Sequence, residues 1–303
     1  MATANNYARP VIAGGTGANN SAAAATNLNV LSKAGGTMAG GIDMDGFSIT
    51  DAVIDGTPGG KLVAGYIYGL TLSNNVADAV NDIDIAAGAS ASDGAVPYLM
   101  SRDASITKRL DALWAVGTNN GGLDAGTVTN TTYHVWLIQR SDTGVVDALF
   151  SLSATSPTMP TNYDRKRRIG SILRSGGTIL QFMQRGDQFD LITNVVQRSS
   201  TAAFPAGPLT LTTPLGISVQ PIFDSQQQQN VAGNVQTRYS TIGKTPVTYC
   251  VTSLALEIDV NCPKGGVFTN TSSQIQFEVE ILSGSLILNA LSLTGWIDDR
   301  GRS

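Results

Sequence analysis

The chain has 303 residues, 42% of them hydrophobic and only 14% charged, with 33 glycines and a formal net charge of −4. A single histidine, His134, excludes multi-histidine metal sites and leaves room for at most one Ser-His-Asp arrangement. The slight acidity argues against a nucleic-acid scaffold, and glutamate confined to Glu257, Glu278 and Glu280 all but removes the Glu–Lys pairs of surface helices.

Residues 1–60 carry few large apolar side chains. The stretches 14–20 (GGTGANN), 22–25 (AAAA) and 34–50 (AGGTMAGGIDMDGFSIT) cannot alone bury enough surface to offset their ordering entropy. Ile42, Met44, Phe47 and Ile49, set between glycines, fit short strands intertwined with neighbouring copies of the chain. A short helix is predicted over 20–31, behind the candidate caps Asn19 and Asn20. No basic segment followed by an apolar one opens the chain, and no run reaches 18 apolar residues. This predicts cytoplasmic synthesis and a soluble product without membrane insertion.

From residue 61 to 303 the pattern becomes that of a globular β domain, with a sub-division near 125 left open. Strands are predicted over 62–72 and 81–86. Ile106, Leu110, Leu113 and Trp114 then follow helical spacing, which predicts a helix over 105–116, and 117–126 (GTNNGGLDAG) reads as a break. Residues 133–139 are apolar on both faces and read as a central strand. Further strands are expected at 146–154, 178–183, 189–196, 209–213 and 247–260. Over 274–282, Ile275, Phe277, Val279 and Ile281 alternate with Gln274, Gln276, Glu278 and Glu280, and 286–293 closes the domain. The expected fold is all-β: a short intertwined fibrous N-terminal region, then an antiparallel β-sandwich or jelly-roll head with few short helices.

Cys250 and Cys262 read as free, buried thiols, since bridging them requires a hairpin between them. The glycines at 14–20 lack the third glycine of a dinucleotide loop. Gly243-Lys244-Thr245 has Arg238 where a phosphate loop needs its first glycine, and Ser105–Lys108 matches S-x-x-K without the companion motifs. Glu278 and Glu280 share one strand face at about 7 Å, in nominal reach of an inverting glycosidase pair, but read better as a solvated face. Asp78, Asp82 and Asp84 read as turn and cap residues without cation-loop spacing. No cofactor is expected. The run Arg165-Lys166-Arg167-Arg168 is expected to form ion pairs with Asp164, Asp187 or Asp190, within one chain or across subunits. Its alternation puts Arg165 and Arg167 on one face. The stretch 224–240 reads as a polar loop in which Gln226, Gln227, Gln228, Gln229, Asn230, Asn234, Arg238 and Tyr239 are candidate recognition residues, offering amide donors and acceptors plus a stacking face.

Residues 10–31 (PVIAGGTGANNSAAAATNLNVL) and 33–50 (KAGGTMAGGIDMDGFSIT) resemble shaft elements of bacteriophage tail fibres. Residues 69–88, 113–124 and 133–187, including YDRKRRIGSILRSGG, are similar to a globular domain of phage fibre and spike proteins, as is the ending GWIDDRGR at 295–302. The resemblance implies a homotrimeric virion fibre. Gly14, Gly15, Gly17, Gly35, Gly36, Ile42 and Met44 would then belong to its attachment and shaft region, docked on other virion tail or head proteins. The β head would bind a host surface glycan or protein without catalysis. A head, collar or neck fibre with a purely docking role, or a polysaccharide depolymerase, are the other roles such an architecture serves.

Overall fold

Twenty strands and no helix make up the described residues of the computed structural model, 63–252, 258–260 and 266–302, all within the unit Ile54–Ser303. Gly14, Gly15, Gly17, Gly35, Gly36, Ile42 and Met44 lie outside the described residues. So do the helix at 20–31, the boundary at 60, Cys262 and the Cys250 side chain.

The first half contains β1 (Ile67–Gly69), β2 (Leu72–Asn74), β3 (Asp82–Ile85), β4 (Gly88–Ala91), β5 (Leu99–Arg102), β6 (Ile106–Leu113), β7 (Asn120–Leu123), β8 (Thr132–Gln139) and β9 (Val146–Ser151). Next come β10 (Arg165–Ser175), β11 (Thr178–Ile179), β12 (Phe182–Arg185), β13 (Gln188–Ser200), β14 (Phe204–Thr210) and β15 (Gln220–Gln229). The last are β16 (Asn234–Ser240), β17 (Val247–Thr252), β18 (Ile258–Val260), β19 (Gln274–Ser283) and β20 (Leu286–Ile297).

Thirteen of them form one sheet in the order β11-β10-β8-β9-β7-β6-β3-β2-β12-β13-β20-β15-β18, flanked by the smaller sheets β1-β4-β5 and β14-β19-β16-β17. The architecture is all-β and sandwich-like. Pairing is antiparallel except at β7, which runs parallel to both β6 and β9 and carries the sheet through residue 123. Period-2 burial explains most of these elements. In β19, Ile275, Phe277 and Val279 are buried, and the outward Glu278 and Glu280 are half-buried. The central β8 is buried on both faces: Tyr133, Val135 and Leu137 enter the main core, while Trp136 and Ile138 join Leu149 and Tyr163 in a second cluster.

Two predicted elements are corrected. The 105–116 helix is strand β6, with Ile106, Lys108 and Leu110 pointing inward. Lys108 occupies an apolar position because Asp147 meets it at 3.3 Å. The break at 117–126 contains β7. A side chain on Gly121 would collide with the Leu113 and Ala112 carbonyl oxygens, so close backbone approach is why glycine stands there.

Candidate functional site

The stretch 224–240 is not a loop but the strands β15 and β16, joined at 230–233. Ser225, Gln227 and Gln229 of β15, and Val235, Thr237 and Tyr239 of β16, are buried. Gln227, Thr237, Thr252 and Asn289 satisfy one another, which is what allows them into an interior. Gln227 Nε2 donates to Val235 O (2.9 Å) and Thr252 Oγ1 (3.0 Å), and its Oε1 accepts from Thr237 Oγ1 (2.6 Å). Asn289 of β20 donates to Thr237 Oγ1 (2.8 Å), and Arg198 Nε donates to Asn289 Oδ1 (3.0 Å). Tyr239 packs edge-on against Phe223, with centroids 5.6 Å apart. Of the predicted recognition residues, Gln227, Gln229 and Tyr239 are therefore buried, and Gln227 and Tyr239 join two sheets. Gln226, Gln228, Asn234 and Arg238 are half-buried, and Asn230 is exposed. Arg238 reaches Glu278 (3.1 Å) and Glu280 (2.8 Å), and the hydrogen bond to Glu278 holds its pKa above the usual value. Those two glutamates are thus ion-paired through one guanidinium.

The basic run opens β10, but its partners are not Asp164, Asp187 or Asp190. Lys166 pairs with Asp93 (2.6 Å), and Arg165 donates to Gln139 and lies 3.8 Å from the centre of the Tyr98 ring. Arg167 donates to the carbonyls of Ala91 (2.7 Å), Ser92 (3.1 Å) and Gly301. Arg168 grips Asp298 with two hydrogen bonds (2.6 and 2.8 Å) and reaches Asp299 (3.2 Å). Arg300 returns the contact, donating to the carbonyls of Ile169 (2.8 Å), Leu70 (2.8 Å) and Gly69 (3.2 Å). Burial lowers the pKa of both Arg167 and Arg300. Clefts of about 300 and 190 Å3 flank this network and share Arg168, Thr155 and Gly301.

The one histidine lies beside a serine and an aspartate, in an order unsuited to nucleophilic catalysis. His134 Nδ1 is 2.9 Å from Ser171 Oγ, but Asp298 bonds Arg168 and Ser171 rather than orienting the imidazole. Ser171 is fully buried. Burial, reinforced by the Arg168 charge, pulls the His134 pKa down to about 4. Asp78 Oδ1 accepts from the Val80 and Asn81 amides, and Asp84 Oδ1 from Asn75 and Thr107, as turn and strand-edge residues. Burial raises the Asp82 pKa, with Asp78 adding to it.

An open cleft of about 490 Å3 lies at the rim of the second hydrophobic cluster, between Leu113–Trp114, Asp124 and the segment 158–161. Trp114 is fixed from behind: Nε1 donates to Ala148 O (3.1 Å), and the ring meets Tyr163 edge-on at 5.2 Å. Lys108 Nζ stands 5.4 Å from the Trp114 ring centre. That ammonium donates to the carbonyls of Ala115 and Gly117, while Asp147 Oδ2 accepts the Gly117 amide (2.7 Å), so the turn after Trp114 is tied to a buried ion pair. Burial pushes the Lys108 pKa down against the opposing pull of Asp147. Across the cleft, Asp124 Oδ2 accepts the Thr158 amide at 2.8 Å. Trp114 and Asp124 are not paired by any motif in the sequence. Their signal was an aromatic and an acid on either side of a Gly-rich turn.

No family model and no curated protein matches this chain.

Proposed function

We propose that this chain is a non-enzymatic bacteriophage fibre or spike protein, homotrimeric through its N-terminal region, whose β head contacts the host cell surface. The observation that carries this reading is the convergence of the segments that resemble phage fibre domains. Arg300, in the ending 295–302, donates to Gly69 and Leu70 of the 69–88 segment and to Ile169 of the 133–187 segment, and Arg168 grips Asp298. Segments up to 231 positions apart meet in one buried network. A likeness spread over three such segments is better understood as one shared domain than as three chance matches. The sharing of Arg238 between Glu278 and Glu280 supports the non-enzymatic part, since neither carboxylate is placed as an isolated acid. Three heads on one axis multiply weak contacts through effective concentration.

The test is adsorption. Purified full chain is expected to bind cells of a susceptible strain saturably, within a panel of bacteria, and to slow phage adsorption to that strain. Binding to none of the panel, or labelling of the virion head or collar by antibodies to the chain, contradicts the reading. Light scattering is expected to give about three times the 31.5 kDa chain mass, and a mass near that of one chain removes the trimer.

A further inference from the structure

We infer that the cleft between Trp114 and Asp124 is a binding site for a neutral sugar residue, with the Trp114 ring as the stacking wall and the Asp124 carboxylate as hydroxyl acceptor. For its biological ligand this rests on the host-surface reading and narrows it to a glycan without acidic groups. The volume of about 490 Å3 lies within the roughly 300–1,000 Å3 of small-ligand clefts.

The chemistry of the lining narrows the ligand. Leu113, Trp114, Met159 and Pro160 give an apolar side, while Thr158, Thr161 and Asp124 give a polar one. A pyranose has the matching division, with C–H groups on a ring face and hydroxyls around its edge. Trp114 is half-buried, and its only polar atom is already bonded to Ala148 O, so what it offers a ligand is ring surface. Asp124 spends Oδ2 on the Thr158 amide, and its Oδ1 has no partner among the described residues. That oxygen can accept one or two sugar hydroxyls in charge-assisted bonds. Asp124 is the one charged residue of the lining, and no Lys or Arg lines the cleft. Lys108 is fully buried and bonded elsewhere. An anionic sugar would therefore meet an uncompensated carboxylate, whereas a neutral one would not. The wall is also rigid before a ligand arrives, since Tyr163, Ala148 and Lys108 all hold the indole, which reduces the ordering cost of binding.

The test uses the full chain with a panel of neutral hexosides and short neutral oligosaccharides, matched uronic and sialic acids, and a cationic peptide. Trp136 and Trp296 are buried at 2% and 1% exposure, so a ligand in the cleft acts on tryptophan emission mainly through Trp114. At least one neutral saccharide is expected to change that emission saturably and to bind tenfold or more tighter than its acidic counterpart. Trp114→Phe is expected to remove the emission change while binding persists by calorimetry. Asp124→Asn, which retains an acceptor for the Thr158 amide, is expected to weaken binding about tenfold with unchanged circular dichroism. The inference is overturned if no neutral saccharide binds, if Asp124→Asn leaves binding unchanged, or if the cationic peptide is the preferred ligand. Adsorption separates the two readings. Cell binding that survives Asp124→Asn and Trp114→Ala in folded protein removes the cleft and leaves the host-surface reading. Saccharide binding in the cleft without any cell binding does the reverse.

Discussion

His134 shows how the surroundings of one residue set its chemistry. In the unfolded chain an imidazole titrates near 6.5, whereas in the fold burial and the Arg168 charge pull it down to about 4, against opposing contributions from Asp298 and the Leu215 backbone. Between those values the unfolded state holds more proton than the folded one. Stability is therefore insensitive to this group above about pH 6.5 and falls as pH drops from there to about 4. The full swing is on the order of 3 kcal/mol, at about 1.4 kcal/mol per unit. His134→Gln, which cannot titrate, is expected to lose less stability than the parent between neutral pH and about pH 4.5 in urea melts; equal losses contradict the assignment. Gly295 makes a second case at this scale, one of space rather than charge. It sits in β20 between β13 and β15, and a side chain there would collide with the Phe189 carbonyl oxygen. Phe189 cannot retreat, because its ring stacks on Trp296 at 5.3 Å. Gly295→Ala is expected to cost about 1–3 kcal/mol by overpacking, read as a lower thermal midpoint, and an unchanged midpoint would show that β20 has slack.

At the scale of elements, strands with apolar inward faces were legible and strands with polar inward faces were not. β8 and β19 could be read directly, since Tyr133, Val135 and Leu137, or Ile275, Phe277 and Val279, carry the alternation in plain hydrophobicity. In β6 the inward position between Ile106 and Leu110 is Lys108, so the remaining apolar residues mimicked helical spacing. The partner that makes Lys108 tolerable, Asp147, is 39 positions away in another strand. In β15 the same happens with amides, and a stretch that looked like a recognition loop supplies the polar join between two sheets. Gln227→Leu tests that join. It removes the acceptor of the Thr237 hydroxyl and the amide donor shared by Thr252 and the Val235 carbonyl, although Thr237 still accepts from Asn289, and each orphaned group costs about 1–3 kcal/mol. A loss of at least 2 kcal/mol in denaturant stability is expected, with partial recovery in the double substitution that also carries Thr252→Val, since Thr237 is still needed by Asn289. A neutral Gln227→Leu would mean that the amide network is incidental. The Trp114–Asp124 cleft was illegible for a related reason, since it depends on which end of β6 faces the end of β7.

At the scale of the molecule, residues 298–302 tie the β fold together. Residues 298–302 are short, yet they contact both the first strands and β10. Asp298 receives Arg168, Arg300 reaches Gly69, Leu70 and Ile169, and Arg302 pairs with Asp187. Both side chains of the Arg168–Asp298 pair are almost fully removed from solvent. Deleting one partner leaves the other charge buried and uncompensated, which costs about 3–5 kcal/mol, whereas replacing both with apolar residues of similar size can be nearly neutral. Arg168→Met and Asp298→Leu are each expected to lower the denaturant midpoint strongly, and the double substitution to lower it by much less than their sum. Additive losses would mean that the two side chains act independently. The same geometry fixes where the fold should open first. Once Arg168 no longer holds Asp298, the ending is released together with its grip on Gly69 and Leu70, so limited proteolysis of Arg168→Met should cut near β1 and near residue 298 before it cuts within β8 or β9. Those two strands bury both faces and share no backbone pairing with residues 298–302 among the described residues, and their early cleavage would place the weak point of the fold elsewhere.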